Sequence, residues 1–131
     1  FSYVQFNKKY QIDDHLIYEI LCRAAAYNGF SRWFMQSSDG SFTPVYFPMP
    51  NLEKNSSGQF IIAGFKDENE LVNSEFDYQS QTVISVNKWI GSGEASERTE
   101  WEFQDGSFVF SKYLVDETYD GKVNPILVEE E

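Results

Sequence analysis

Four dipeptides, Asn28-Gly29, Asp39-Gly40, Asp105-Gly106 and Asp120-Gly121, limit what this chain can fold into more than any other feature. Asn-Gly and Asp-Gly supply the positive φ angles that two-residue hairpin loops require, and each of these stands near apolar or β-favouring residues. A chain of 131 residues with this many reversals is expected to run as an antiparallel meander.

The segments between the turns alternate as strands do. Trp101 and Phe103 fall on one face and Glu100 and Glu102 on the other, and past the turn Phe108 and Phe110 oppose Ser107 and Val109. Thr82 to Asn87 is rich in β-branched residues. Phe42 to Phe47 and Phe60 to Phe65 read as strands too, with Pro44 pushing the first towards a sheet edge. Asn51 to Gly58 and Ile90 to Arg98 read as loops.

One stretch admits two readings. Asp13 or Asp14 could cap a short helix over about 14–26, with Leu16, Ile17, Ile20, Leu21 and Ala24 at helical spacing. A long strand is preferred, because Asn28-Gly29 would then join it to the aromatic segment Phe30 to Met35 as a hairpin. The expected fold is all-β, an antiparallel meander of hairpins forming a small barrel or sandwich. It is expected as one domain over residues 1–131, with 1–12 and 126–131 peripheral.

The formal charge of −11 sets this chain against polyanions, so nucleic acid and anionic membrane surfaces are poor partners. A cationic protein or a divalent cation such as calcium suits that field, although acidity alone also serves solubility. The longest apolar runs fall far short of the ~20 residues of a membrane span, and no insertion is expected. Cys22 is the only cysteine, which excludes an intramolecular disulfide and a CxxC site. No basic and apolar leader stands at Phe1, and compartment is not read from that.

Candidate chemistry is sparse. His15, the sole histidine, stands beside Asp13 and Asp14, but neighbouring strand residues point to opposite faces, which favours a solvated edge over a metal or acid-base site. A Cys22 and His15 nucleophilic pair is disfavoured because Cys22 lies in an apolar segment that keeps a thiol protonated. Asp116 to Gly121 resembles the opening of a calcium loop, with Asp116, Thr118 and Asp120 at alternate places. The twelfth place is Leu127 rather than a glutamate, which leaves only a looser metal site around Asp116 and Asp120. Gly91-Ser92-Gly93 lacks the further glycine and lysine of a phosphate loop. The acidic, small-residue loop around it makes the better binding surface, with Trp89, Ser92, Gly93, Glu94 and Glu97 as its contact residues.

Two stretches resemble the bacterial family called domain of unknown function 1176. Leu21 to Asn28, Arg32-Trp33-Phe34 and Pro44 to Pro48 are similar to its first half. Asn69 to Asn73, Phe76-Asp77, Thr82 to Ser85, Gly91-Ser92-Gly93, Trp101-Glu102-Phe103, Asp105 to Phe108 and Asp116 to Gly121 follow the order of its second. The resemblance implies an all-β fold and a periplasmic or secreted location, and it brings no catalytic residues. The family tends to carry cysteines where this chain has Ala95 or Ser96 and Tyr119, and losing both together fits the loss of a bridge.

The expected function is a non-enzymatic envelope domain that binds a cationic partner through an acidic loop face. Small exported all-β proteins that insert such a loop into lysozyme are the analogy. The alternatives are a calcium-stabilised structural domain and a hydrolase whose carboxylates the sequence does not pair.

Overall fold

The computed structural model describes residues 8–25, 28–88, 96–116 and 126–128. Every regular element among them is a strand. In chain order these are β1 Lys8–Ile12, β2 His15–Ala25, β3 Asn28–Gln36, β4 Phe42–Pro44, β5 Phe47–Lys54 and β6 Phe60–Glu68. They are followed by β7 Glu70–Val72, β8 Ser74–Asp77, β9 Thr82–Lys88, β10 Ser96–Gln104, β11 Ser107–Asp116 and β12 Ile126–Val128.

The first sheet runs β1-β2-β3, with β4 and β7 sharing the far edge of β3. The second runs β12-β11-β10-β9-β8, and β5 pairs with β6 as a separate ribbon. All the pairings are antiparallel. The all-β expectation is met. Both large sheets are open and share one core, so the arrangement is that of a sandwich and not of a closed barrel.

The long strand wins over the helix at 15–25 because its inward positions repeat every second residue. Ile17 and Glu19 are buried and lie opposite Met35 and Trp33 of β3. The helical spacing of its leucines and isoleucines is overridden by this long-range pairing.

Aromatic residues fill the space between the sheets. Trp33 from the first sheet, Trp101 from the second and Phe47 from the ribbon are fully enclosed. Phe47 lies 5.6 Å from Trp33, 5.1 Å from Trp101 and 4.9 Å from Phe108, ring centre to ring centre. Tilted aromatic pairs of this kind contribute roughly 0.5–1.5 kcal/mol each beyond their burial. The indole of Trp101 also donates to the carbonyl of Pro48 at 2.8 Å, tying β10 to β5.

Asp105 and Gly106 form the expected two-residue turn between β10 and β11, with φ of 48° and 88°. A second tight turn occupies Asp13-Asp14, where Ile12 pairs with His15 and Asp13 has φ of 52°. Aspartate tolerates that conformation better than most side chains.

Several boundaries move from the expectation. Asn28 and Gly29 are strand residues paired with Ala25 and Ala24, not the corner of a hairpin. Phe42 to Phe47 is two strands, split at Val45-Tyr46, and residues 51–54 and 96–98 belong to β5 and β10 rather than to loops. Residues 8–12, expected at the periphery, form β1, and Tyr10 and Ile12 are core residues. Val128 likewise joins a smaller core with Ile62, Tyr113 and Val115.

Candidate functional site

Glu19 sits on the inward face of β2 with only 3% of its surface exposed. Three hydroxyl groups meet its carboxylate. Tyr10 on β1 donates to Oε1 at 2.9 Å, Ser74 at the start of β8 donates to Oε2 at 2.6 Å, and Ser31 on β3 bonds it as well. The indole of Trp33 in turn donates to the Ser74 hydroxyl at 3.1 Å. Lys8 lies directly across β1 from Glu19.

A cleft of about 200 Å³ opens onto this carboxylate. Glu19, Ser31 and Ser74 form its polar floor, Leu21 and Gly29 one flank, and Lys8 and Asn73 complete the lining. Burial raises the Glu19 pKa, and the hydrogen bonds from Ser74, Tyr10 and Ser31, together with the Lys8 charge, offset only part of that. Burial and the neighbouring Glu19 carboxylate also raise the Tyr10 hydroxyl, which keeps it a donor. A carboxyl shifted by burial at the floor of a cleft is the signature of a functional position.

A seam of amide side chains continues from the cleft into the second sheet. Asn73 holds a left-handed backbone, with φ of 43°, between β7 and β8. Its carboxamide accepts from the Gly29 amide at 2.9 Å and donates to Asn28 Oδ1 at 2.6 Å and to the Val86 carbonyl at 2.9 Å. Asn28 reaches the Lys88 carbonyl at 3.1 Å, and Asn87 donates to Glu97 at 2.8 Å. Glu97 also accepts from the buried hydroxyl of Tyr113. These bonds stitch β3 and the β7–β8 corner to β9, β10 and β11.

A family model matches the sequence over residues 5–122. The chain belongs to the family described as Protein of unknown function (DUF1176). No curated protein and no solved structure matches it. Membership of DUF1176 supplies the family and no activity, so the site rests on geometry.

Of the site residues singled out from the sequence of this DUF1176 chain, Glu97 and Asp116 fall among the described residues. Glu97 is half-buried and engaged by Asn87 and Tyr113, while Trp89, Ser92, Gly93 and Glu94 lie outside the described residues. Asp116 ends β11 opposite Ser96 with 2% exposure, and Asp120 lies outside the described residues. No group of three or more His, Cys, Asp or Glu side chains placed to hold a metal occurs among the described residues. Cys22 and His15 stand seven residues apart on β2, roughly 23 Å along the strand, which separates the pair. His15 instead packs edge-on against Phe103 at 5.2 Å, with its Nδ1 enclosed and without a hydrogen-bond partner.

Sequence reasoning missed Glu19, Ser31, Asn73 and Ser74. An acidic residue in an alternating strand ordinarily marks the solvated face. Glu19 shares its parity with Ile17 and Leu21, but Leu16 and Ile20 are apolar at the other parity, so alternation gave no signal for its burial.

Proposed function

We propose that this protein is a non-catalytic binding domain of the bacterial envelope whose partner is cationic. The observation that carries this reading is the outward face of the second sheet. Glu75 and Glu100 flank Ile84 on adjacent strands, and Asp77 and Glu102 flank Thr82 in the next row. Directly opposed strand residues share a face, so the exposed Glu75, Asp77 and Glu102 stand together there beside Glu100, which is 9% exposed. Arg98 and Lys112 both pair with Glu100, at 2.9 and 3.8 Å. Among the described residues, Glu75, Asp77 and Glu102 have no basic side chain within ion-pair distance.

The excess of 11 negative charges over the whole chain reinforces that patch. Such a field steers cationic proteins and accelerates their encounter. The envelope location follows from the family resemblance.

The test is a binding titration against a basic protein, lysozyme being a convenient probe, at low and high salt. Association is expected to weaken steeply between ~0.05 and ~0.5 M salt, as the Debye length shrinks. The Glu75→Gln, Asp77→Asn, Glu102→Gln triple variant is expected to slow association while leaving the fold intact. Binding that ignores salt, or none to any basic protein, overturns the proposal.

A further inference from the structure

The cleft over Glu19 has a chemistry of its own. It is open to solvent, yet the carboxylate on its floor is almost wholly buried. At about 200 Å³ it is smaller than the roughly 300–1,000 Å³ of sites that take whole drug-sized ligands, which suits a single side chain or head group.

The floor presents acceptors. Glu19 accepts from Tyr10 and Ser74 and keeps part of its roughly four lone-pair sites, Ser74 accepts from Trp33 as it donates, and the Ser31 hydroxyl lines the same floor. An ammonium group, with three donors and no acceptor, complements such a floor, whereas a carboxylate or phosphate would meet Glu19 as a like charge. The flank is apolar and slim. Leu21 packs over Gly29, where an added Cβ would approach it to 3.3 Å, and its side chain gives the cleft the apolar wall against which an alkyl stem can lie.

Lys8 shows what the site prefers. It is exposed, stands opposite Glu19 in the β1–β2 register, and its charge favours the ionised carboxyl. Its ammonium makes no ion pair with Glu19 but lines the same cleft, so an external ammonium would compete with its charge there.

We propose that the Glu19 cleft receives a primary ammonium on an unbranched alkyl stem, the chemistry of a lysine side chain. This rests on the reading that the partner is cationic and adds where one of its charges is read out.

The test uses the full chain and three probes of equal length: n-butylammonium, n-butanol and butyrate, followed by NMR shifts of the Ser31, Asn73 and Ser74 amides. Butylammonium is expected to bind at least tenfold more tightly than butanol, and butyrate not at all. Lys8→Gln is expected to tighten butylammonium binding severalfold by removing the competitor. Glu19→Gln is expected to lose it while retaining the thermal transition. Butanol binding as well as butylammonium, or Lys8→Gln leaving affinity unchanged, overturns the inference even should Glu19→Gln fail to fold.

A second arm separates this from the broader reading. Reductive dimethylation of a basic protein's lysines keeps their charge but enlarges each ammonium. Salt-sensitive binding that survives dimethylation leaves the acidic face standing and rules out the cleft as its contact. Loss of binding on dimethylation supports the cleft. If no basic protein binds but butylammonium does, the cationic-protein reading fails and the ammonium site stands.

Discussion

The molecule contains the same pair twice, a tyrosine hydroxyl bonded to a glutamate, in two different settings. In the first sheet, Tyr10 meets Glu19, which is 3% exposed and held by hydroxyls alone. In the second, Tyr113 meets Glu97, which is half-buried and shares itself with the amide of Asn87. The first carboxyl has its pKa pushed up by burial and faces a cleft; the second joins strands at the end of the amide seam. What separates a candidate site from a strut is therefore not the residue pair but how much solvation its charge has lost and whether anything can reach it.

The largest effect is expected at Asn73, which links the two settings. Asn73→Ala removes three side-chain hydrogen bonds and places alanine at a φ of 43°. At about 1 kcal/mol per bond plus 1–2 for the left-handed backbone, the loss is roughly 4–5 kcal/mol, measurable by urea unfolding. A loss under about 1 kcal/mol would show that the seam does not couple the sheets.

Tyr10→Phe keeps the ring stacked on Trp33, whose centre is 5.5 Å away, and deletes only the donor to Glu19. With the carboxylate buried, the cost is about 2 kcal/mol. Tyr113→Phe is expected to cost about 1 kcal/mol, since Glu97 keeps Asn87 and access to water. Equal losses at the two tyrosines would erase the distinction drawn between the pairs.

The pH dependence sharpens it further. Because the folded pKa of Glu19 is raised, the folded state holds its proton more tightly than the unfolded chain, whose glutamates titrate near 4.3. The stabilisation is fully present below about pH 4.3 and is lost as pH climbs through the folded value. Glu19→Gln is expected to flatten that decline. Parallel melting curves across pH for wild type and Glu19→Gln would refute the assignment.

Much of the fold could be read from the residues. Alternation along 101–103 and 108–110 gave strands with the right faces, β-branched composition gave the strand over 82–87, and Asp105-Gly106 gave its turn, because local backbone chemistry governs all three. Pro44 lies on β4, at the rim of the first sheet, as its missing N–H requires. Asn28-Gly29 misled because its composition serves packing and not reversal. Gly29 admits Leu21, and Asn28 bonds across to Asn73 and Lys88. The site was least legible of all. Glu19 and Ser31 come from consecutive strands, but Ser74 lies 55 residues beyond Glu19, and only the turn into β8 brings it to that carboxylate.

Proline in β5 has a further bearing on how such an aromatic-rich chain stays dispersed. Pro48 and Pro50 stand two apart on the ribbon, so both lack a donor along one edge, and the Pro48 carbonyl is already taken by Trp101. A strand from a neighbouring molecule finds no continuous ladder to extend at that place, and the ribbon guards its flank against fibril-like stacking.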